Sequence, residues 1–378
     1  MGTGKPVPIT RGKNMQYLGD NPNMFIVRAP LRISLFGGGT DLPEFYEQHG
    51  GGIAVSLAID KYVYAVFNRR FTGGWRVSYN VTEEVGGYEE IWHTLVRPAY
   101  QLYKPPPCTL TIIGDMPAST GLGSSSALAV ALVRALDFKL NIAGSWRDLA
   151  EKAFELERGT GAKVGKQDHY AAVCGGFRIY RFEGNANGRP AQSAGQEHAC
   201  CPLSELQRWS LLLYTGRTRP AAAILAAQAQ HADVGALHEI WSIADAAAQR
   251  LLEYPASVDA MAIGQWLQRT WQAKRRVVAG ITDAALDAQY EAALAAGAVG
   301  GKLLGAGGGG CWFLVVPPSA QQRVKDALGL LEIPWSWDTS GCKAVLGHGA
   351  WLRGGESASQ RIGESASQRV SESTELPL

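Results

Sequence analysis

The chain has 378 residues, 46% of them hydrophobic and 19% charged, which suits two soluble domains with cores of their own. Its formal net charge of +2 gives no electrostatic reason to expect nucleic acid or an anionic membrane as a partner, and no apolar run approaches the ~18 residues of a membrane-spanning helix. The six cysteines form no C-x-x-C pair, a pattern typical of reduced thiols and therefore of a cytoplasmic protein.

The first half of the chain alternates β-rich segments with two helical patterns. Residues 1–24 lack the apolar core of a secretory signal and are predicted to be a flexible extension. Predicted strands occupy residues 25–27, 31–36, 53–59, 62–67 and 109–113. Residues 127–138 are apolar on almost every face, which predicts a buried helix. A second helix is predicted from the N-cap Ser145 to about Arg158, ending at Gly159.

The second half is mainly helical and ends in a repeat. Residues 183–202 are predicted to be a long loop, and a short strand is predicted at 211–214. Helical patterns begin at Pro220 and continue to about residue 296, and a strand is predicted at 311–316. The heptapeptide G-E-S-A-S-Q-R occurs twice between residues 355 and 369, and this polar composition predicts a disordered tail.

Residues 117–127, with the sequence P-A-S-T-G-L-G-S-S-S-A, are the most informative segment. They join a predicted strand to the buried helix, whose first N–H groups have no partner within the helix and lie at the positive end of its dipole. This arrangement favours a bound polyphosphate, although an ordinary structural turn is the alternative. The segment matches neither the P-loop nor the dinucleotide pattern, because Ser126 stands where the third glycine of the latter belongs.

Three charged residues occupy positions where the local pattern favours apolar ones. Arg32 lies on a predicted strand beside a triple-glycine turn, or else on an exposed strand face. Glu157 shares the apolar face of its helix, where a carboxylate suits a metal ion, or else pairs with Lys or Arg at the helix end. Asp168 follows two lysines and is either a base or part of a surface ion pair. His169 is expected to be structural or to support the site from behind.

Together these segments resemble the GHMP kinases, which include galactokinase and the homoserine, mevalonate and phosphomevalonate kinases. The three motifs of that family occur in order, at 28–34 with the glycines and Thr40-Asp41 that follow, at 117–127 and at 304–310. The resemblance covers about residues 25–348. Within the family, residues 37–43, 165–168 and 214–219 are most similar to the D-glycero-α-D-manno-heptose 7-phosphate kinases, although His169 replaces the glutamine usual in that branch.

The resemblance implies an α+β fold of two domains with the active site in the cleft between them. Residues 25–205 would form the N-terminal, ATP-binding domain and residues 206–350 the C-terminal domain. Residues 1–24 and 351–378 would be the flexible extension and the disordered tail.

The resemblance also implies roles for the matching residues. Asp168 would be the catalytic base, and Arg32 would stabilise charge on the transferring phosphoryl group or orient Asp168. Ser125 and Glu157 would hold Mg²⁺. The predicted ATP-binding residues are Pro117, Gly121, Leu122, Gly123, Ser124, Ser125 and Ser126. The predicted acceptor-binding residues are Gly39, Thr40, Asp41, Lys166, Arg219, Lys302, Gly307 and Gly308.

We therefore predict an ATP- and Mg²⁺-dependent sugar kinase that phosphorylates the anomeric hydroxyl of a heptose 7-phosphate for the synthesis of nucleotide-activated heptose. Its partners would be ATP and a small sugar phosphate, in an oligomeric state that the sequence does not indicate. One alternative is a kinase for another sugar, such as L-fucose. Others are a catalytically inactive nucleotide- or sugar-binding regulator and a dinucleotide oxidoreductase.

Overall fold

Two long antiparallel strands, β1 (Met24–Phe36) and β2 (Gly52–Arg69), organise the first half of the chain in the computed structural model. The structure describes residues 24–139, 144–184, 196–198, 203–218, 221–254 and 258–347. The prediction of separate strand segments is wrong, because both strands continue through a change of register between Pro30 and Leu31. Pro30 has no N–H to donate, and a bulge tolerates such a residue inside a strand pair.

The other strands of the first sheet are β3 (Trp75–Ser78), β4 (Thr82–Val85), β5 (Cys108–Gly114), β6 (Phe177–Phe182), β7 (Gln196–His198) and β12 (Lys343–Gly347). Their order is β12-β1-β2-β5-β3-β4, while β6 pairs with β2 and β7 pairs with β6. The prediction that residues 183–202 form one long loop is therefore wrong at Gln196–His198, which form β7. A three-residue strand forms by backbone pairing alone and leaves little pattern in the sequence. Residues 185–195 and 199–202 of that segment lie outside the described residues.

The helices of this half are α1 (Pro43–Tyr46), α2 (Val96–Tyr103), α3 (Ser124–Lys139), α4 (Trp146–Arg158) and α5 (Gln167–Cys174), with a 3₁₀ turn at Tyr88–Glu90. The predicted buried helix is confirmed, since α3 packs against β1 and β2 and is buried along most of its length. The predicted limits of α4 are confirmed too. The hydroxyl of Ser145 accepts a hydrogen bond from the N–H of Asp148, and Gly159 is the C-cap.

The second sheet has the order β11-β8-β10-β9 and is antiparallel. Its strands are β8 (Ser210–Tyr214), β9 (Gly300–Leu303), β10 (Cys311–Val315) and β11 (Leu331–Glu332). The helices of this half are α6 (Leu203–Arg208), α7 (Ala221–His231), α8 (Val234–Glu253), α9 (Ala260–Val277), α10 (Ala284–Ala295) and α11 (Gln321–Leu328). The prediction of helices up to about residue 296 is confirmed.

Contacts between the two halves create the cleft. Helix α9 packs against β9 and β10 of the second sheet and also touches β1, while α8 contacts both β1 and β2. Strand β12 returns to the first sheet after the second is complete, and the domain limits stay a prediction. None of the described helices is long and apolar enough to cross a bilayer.

Candidate active site

Two glycine loops that are far apart in the sequence meet backbone to backbone. Gly121, in the loop before α3, has φ +80°, and a Cβ there would lie 2.4 Å from the carbonyl oxygen of Leu304. Gly305 has φ +70°, and its Cβ would lie 2.5 Å from the Cα of Gly121. Neither position has room for a side chain. This contact places residues 304–310 beside the N-terminus of α3.

The joined loops form one wall of a cavity of about 370 Å³. The predicted site residues that line it are Arg32, Gly39, Asp41, Gly121, Gly123, Ser124, Ser125, Ser126, Glu157, Asp168, Lys302 and Gly307. Predicted site residues outside this lining are Pro117, Leu122, Thr40, Lys166 and Gly308. Arg219 lies outside the described residues. Part of the lining is apolar, with Leu225, Ile240, Val277 and Ile281.

Arg32 and Asp168 form a bidentate ion pair at the cavity wall. Nε and Nη2 of the arginine each lie 2.6 Å from a different carboxylate oxygen. Nη1 donates a 2.6 Å hydrogen bond to the carbonyl of Gly121, so the same guanidinium group contacts the glycine-serine loop that precedes α3. The side chain of Arg32 is only 5% exposed and that of Asp168 21%, which rules out the exposed strand face and the surface ion pair.

Asp41 is a second carboxylate in the same wall and is buried. Its oxygens accept hydrogen bonds from the N–H of Gly39 at 2.9 Å and from the N–H and side-chain amide of Gln167, both at 3.2 Å. Burial, and after it the negative charge of Asp168, raises the pKa of Asp41. A Cβ at Gly165 would lie 1.9 Å from Oδ2 of Asp41, so this approach requires glycine.

Glu157 faces inward from α4, as the helix periodicity predicts. Its Oε2 lies 2.7 Å from the hydroxyl oxygen of Ser126 and 2.7 Å from Nε2 of His169, so its partner is not Lys or Arg. Burial alone would raise the pKa of Glu157, but His169 and the hydroxyls of Ser125 and Ser126 outweigh it and lower the pKa. His169 is fully buried behind the carboxylate, which agrees with a supporting role.

Thr40 and Lys166, which are predicted to bind the acceptor, have partners within the protein. The hydroxyl of Thr40 is fully buried and lies 2.9 Å from the carbonyl oxygens of Gly37 and Ile53, where it holds the glycine turn against β2. The ammonium of Lys166 lies 2.8 Å from Oε2 of Glu151. An ion pair with a neighbouring helix turns this lysine away from the cavity.

Pro117, Leu122 and Gly308 shape the loops through their main chains. The carbonyl of Pro117 accepts from the hydroxyl of Thr120 at 3.1 Å, and that of Leu122 accepts from the N–H of Arg32 at 3.0 Å. The N–H of Gly308 donates to the carbonyl of Ile281 at 2.8 Å. These contacts hold the loops in place, and binding of ligand by these three residues stays a prediction.

Lys302, on β9, is a buried cation in the cavity wall. It is 3% exposed, and its ammonium donates a 3.2 Å hydrogen bond to the carbonyl of Leu35 on β1. Burial and the positive charge of Arg32 lower the pKa of Lys302 to about 7, against the opposing effect of Asp41 and Asp168.

Lys274, on α9, is a charged cavity residue that our sequence analysis missed. Its ammonium donates hydrogen bonds to the carbonyls of Leu303 at 2.8 Å and Gly305 at 2.6 Å. The signal was available, because Lys274 follows the buried Leu267 and Trp271 at offsets of seven and three residues. The same periodicity identifies Glu157.

The chain matches two sequence families. Residues 90–176 match the family described as GHMP kinases N terminal domain, and residues 256–330 match GHMP kinases C terminal. A D-glycero-α-D-manno-heptose 7-phosphate kinase of Campylobacter jejuni is 27% identical over 80% of this chain and 92% of its own length. An L-fucokinase/L-fucose-1-P guanylyltransferase of Bacteroides fragilis is 26% identical over 80% of this chain but only 35% of its own length.

A solved structure has the same fold. The crystal structure of a D-glycero-D-manno-heptose 1-phosphate kinase from Bacteroides thetaiotaomicron superposes with a TM-score of 0.68 and 23% identity. The match covers 85% of this chain and 99% of the other. From the matched families, the fold and the cleft with its paired glycine loops, we conclude that the chain belongs to the GHMP kinase family and is a kinase that phosphorylates a sugar hydroxyl.

Proposed function

We propose that this kinase transfers the γ-phosphoryl group of ATP to the anomeric hydroxyl of a heptose 7-phosphate. One observation carries the proposal: Arg32 holds the carboxylate of Asp168 at the cavity wall while also contacting the loop that precedes α3. A proton acceptor is thereby held beside the loop that we propose to bind the phosphates of ATP. This adjacency is what a direct phosphoryl transfer to a hydroxyl requires.

The transfer uses the residues in defined ways. The acceptor oxygen attacks the γ-phosphorus, the bond from that phosphorus to the bridging oxygen breaks, and ADP leaves. The hydroxyl proton passes to Asp168, which keeps acceptor capacity because each carboxylate oxygen binds more than one donor. Arg32 compensates the charge of Asp168 and of the phosphoryl oxygens. Asp41, held by Gly39 and Gln167, is positioned to bind acceptor hydroxyls.

The residues present fit a magnesium ion. Glu157 is a carboxylate that is 3% exposed and lines the cavity with Ser125 and Ser126 at the N-terminus of α3. Mg²⁺ prefers oxygen ligands and takes few from the protein when phosphates are bound. Ser125 and Glu157 would hold it, and it would neutralise charge on the β- and γ-phosphates.

Two features support a phosphorylated heptose as the acceptor. The relative from Campylobacter jejuni carries that activity in its name and aligns over 92% of its length. The buried ammonium of Lys302 in the cavity suits an acceptor that brings negative charge, whereas L-fucose is neutral. We also place the enzyme in the cytoplasm, where ATP is available and where free thiols such as those of Cys108 and Cys311 persist.

The test is ADP release from ATP and MgCl₂ with a panel of D-glycero-D-manno-heptose 7-phosphate, the unphosphorylated heptose, L-fucose and galactose. We expect turnover only with the heptose 7-phosphate, and a ³¹P spectrum of the product with one new phosphate coupled to the anomeric proton. Equal rates on phosphorylated and free heptose would contradict the proposed acceptor. Ligand-induced thermal stabilisation without turnover on any sugar would identify a binding protein.

A further inference from the structure

Two lysines in the cavity wall have no carboxylate partner within the part of the chain that the structure describes. Lys274 and Lys302 are 9% and 3% exposed, and both line the cavity. Among the described residues, no Asp or Glu oxygen lies within ion-pair distance of either ammonium. Other cations near the cavity are paired: Arg32 with Asp168, and Lys163 with Glu44 at 2.8 Å.

Both ammonium groups donate hydrogen bonds to main-chain carbonyls, and each has at least one N–H group left for a further partner. Lys274 uses two of its three N–H groups on Leu303 and Gly305, and Lys302 uses one of its three on Leu35. Leu303 directly follows Lys302 in β9, so the bonds of Lys274 bring the two ammonium groups into one region of the wall. Three N–H groups thus remain for a ligand.

A bound anion would stabilise the charged form of both lysines. Burial and the neighbouring charges of Lys302 and Arg32 lower the pKa of Lys274 well below that of a free lysine. Two buried cations side by side are costly unless a negative charge compensates them. Asp41 and Asp168 act on Lys302 only from a distance and already hold other partners.

We propose that Lys274 and Lys302 form a binding subsite for a phosphoryl dianion, next to the glycine loop at residues 304–310. The inference rests on the proposed function and extends it, since it assigns a role to Lys274, which lies outside the three family motifs. A phosphoryl dianion compensates both cations and offers three oxygens to the three remaining N–H groups. A carboxylate would compensate one cation, and neutral sugar hydroxyls neither.

Two sources supply this chemistry, the phosphate ester of the acceptor and the terminal phosphate of ATP. Calorimetry distinguishes them by measuring heptose 7-phosphate binding without ATP, and Mg·ATP binding without sugar, for the wild type, Lys274→Met and Lys302→Met. Lys325→Met is the matched control, because Lys325 pairs with Glu332 on the surface of the same half of the chain. Unphosphorylated heptose is measured in parallel.

We expect each cavity variant to lose affinity for one phosphoryl ligand by about tenfold or more, the value of a charge-assisted hydrogen bond. Affinity for unphosphorylated heptose and the behaviour of Lys325→Met should stay as in the wild type. Loss for the sugar phosphate alone assigns the subsite to the acceptor, and loss for ATP alone assigns it to the transferring phosphate. Folded Lys274→Met with unchanged affinity for both ligands would overturn the proposal.

A wild-type measurement covers the case in which a variant does not fold. The pKa of Lys302 is about 7, and a bound dianion should restore its proton, so binding at pH 8 in buffers of different ionisation enthalpy should show net proton uptake. Its absence would overturn the subsite. Failure of the proposed function would give a different result, because heptose 7-phosphate would then neither bind nor turn over. The effect of Lys274→Met on Mg·ATP binding could still be measured.

Discussion

Replacing Asp168 by Asn tests the reacting centre most directly. The substitution keeps the shape of the side chain but removes its charge. It also replaces one carboxylate oxygen, which accepts a 2.6 Å hydrogen bond from Arg32, by an NH₂ group, so that two donors face each other. Breaking a fully buried ion pair costs about 3–5 kcal/mol. Because the side chain of Asp168 is 21% exposed to the cavity, we expect a smaller loss of unfolding free energy, about 2 kcal/mol.

The kinetic effect should be larger than the effect on stability. Removing a general base lowers turnover by about 10²- to 10⁴-fold, or roughly 3–5 kcal/mol of barrier. The KM for ATP should change little, because the bond from Nη1 of Arg32 to Gly121 does not involve Asp168. Initial rates of ADP release and thermal unfolding measure the two effects on one preparation.

Asp245→Asn is the matched control for this substitution. Asp245 lies 2.6 Å from Nη1 of Arg181 and is also 21% exposed, but neither residue lines the cavity. We expect it to lose some stability and keep full turnover. If folded Asp168→Asn retained near-wild-type turnover, or if Asp245→Asn lost as much, Asp168 would not be the base.

Three further predictions concern the metal, the loops and pH. Glu157→Gln should raise the Mg²⁺ concentration for half-maximal rate by about tenfold or more, while Glu151→Gln, outside the cavity, should not; an unchanged requirement would place the metal elsewhere. Gly121→Ala should cost about 2–4 kcal/mol in chemical denaturation, because its Cβ meets the backbone of the other loop. Gly329→Ala has the same sign of φ and open space and should cost about 1 kcal/mol; equal losses would refute the loop contact. If Lys302 binds the acceptor phosphate, the KM for the sugar phosphate should rise between pH 7 and 9 as Lys302, whose pKa is about 7, loses its proton; a flat profile would contradict this role of a charged Lys302 in acceptor binding.

Local features of the sequence determined much of the fold and part of the site. The limits of α4 follow from Ser145 and Gly159, because a cap needs only neighbouring backbone groups. The inward orientation of Glu157 follows from helix periodicity, which one segment contains in full. The glycine-serine segment before α3 likewise indicates a phosphate loop from chemistry that is local to a helix end.

Only the tertiary structure decided which of these pieces meet. No local pattern shows that Gly121 lies against Gly305, or that the ammonium of Lys274 lies between the carbonyls of Leu303 and Gly305, since those contacts join segments more than 25 residues apart. The same holds for Lys166, which the motif alone assigns to the acceptor but which pairs with a carboxylate of another helix. Periodicity indicates that a side chain is buried, whereas the partner of that side chain depends on how distant elements pack.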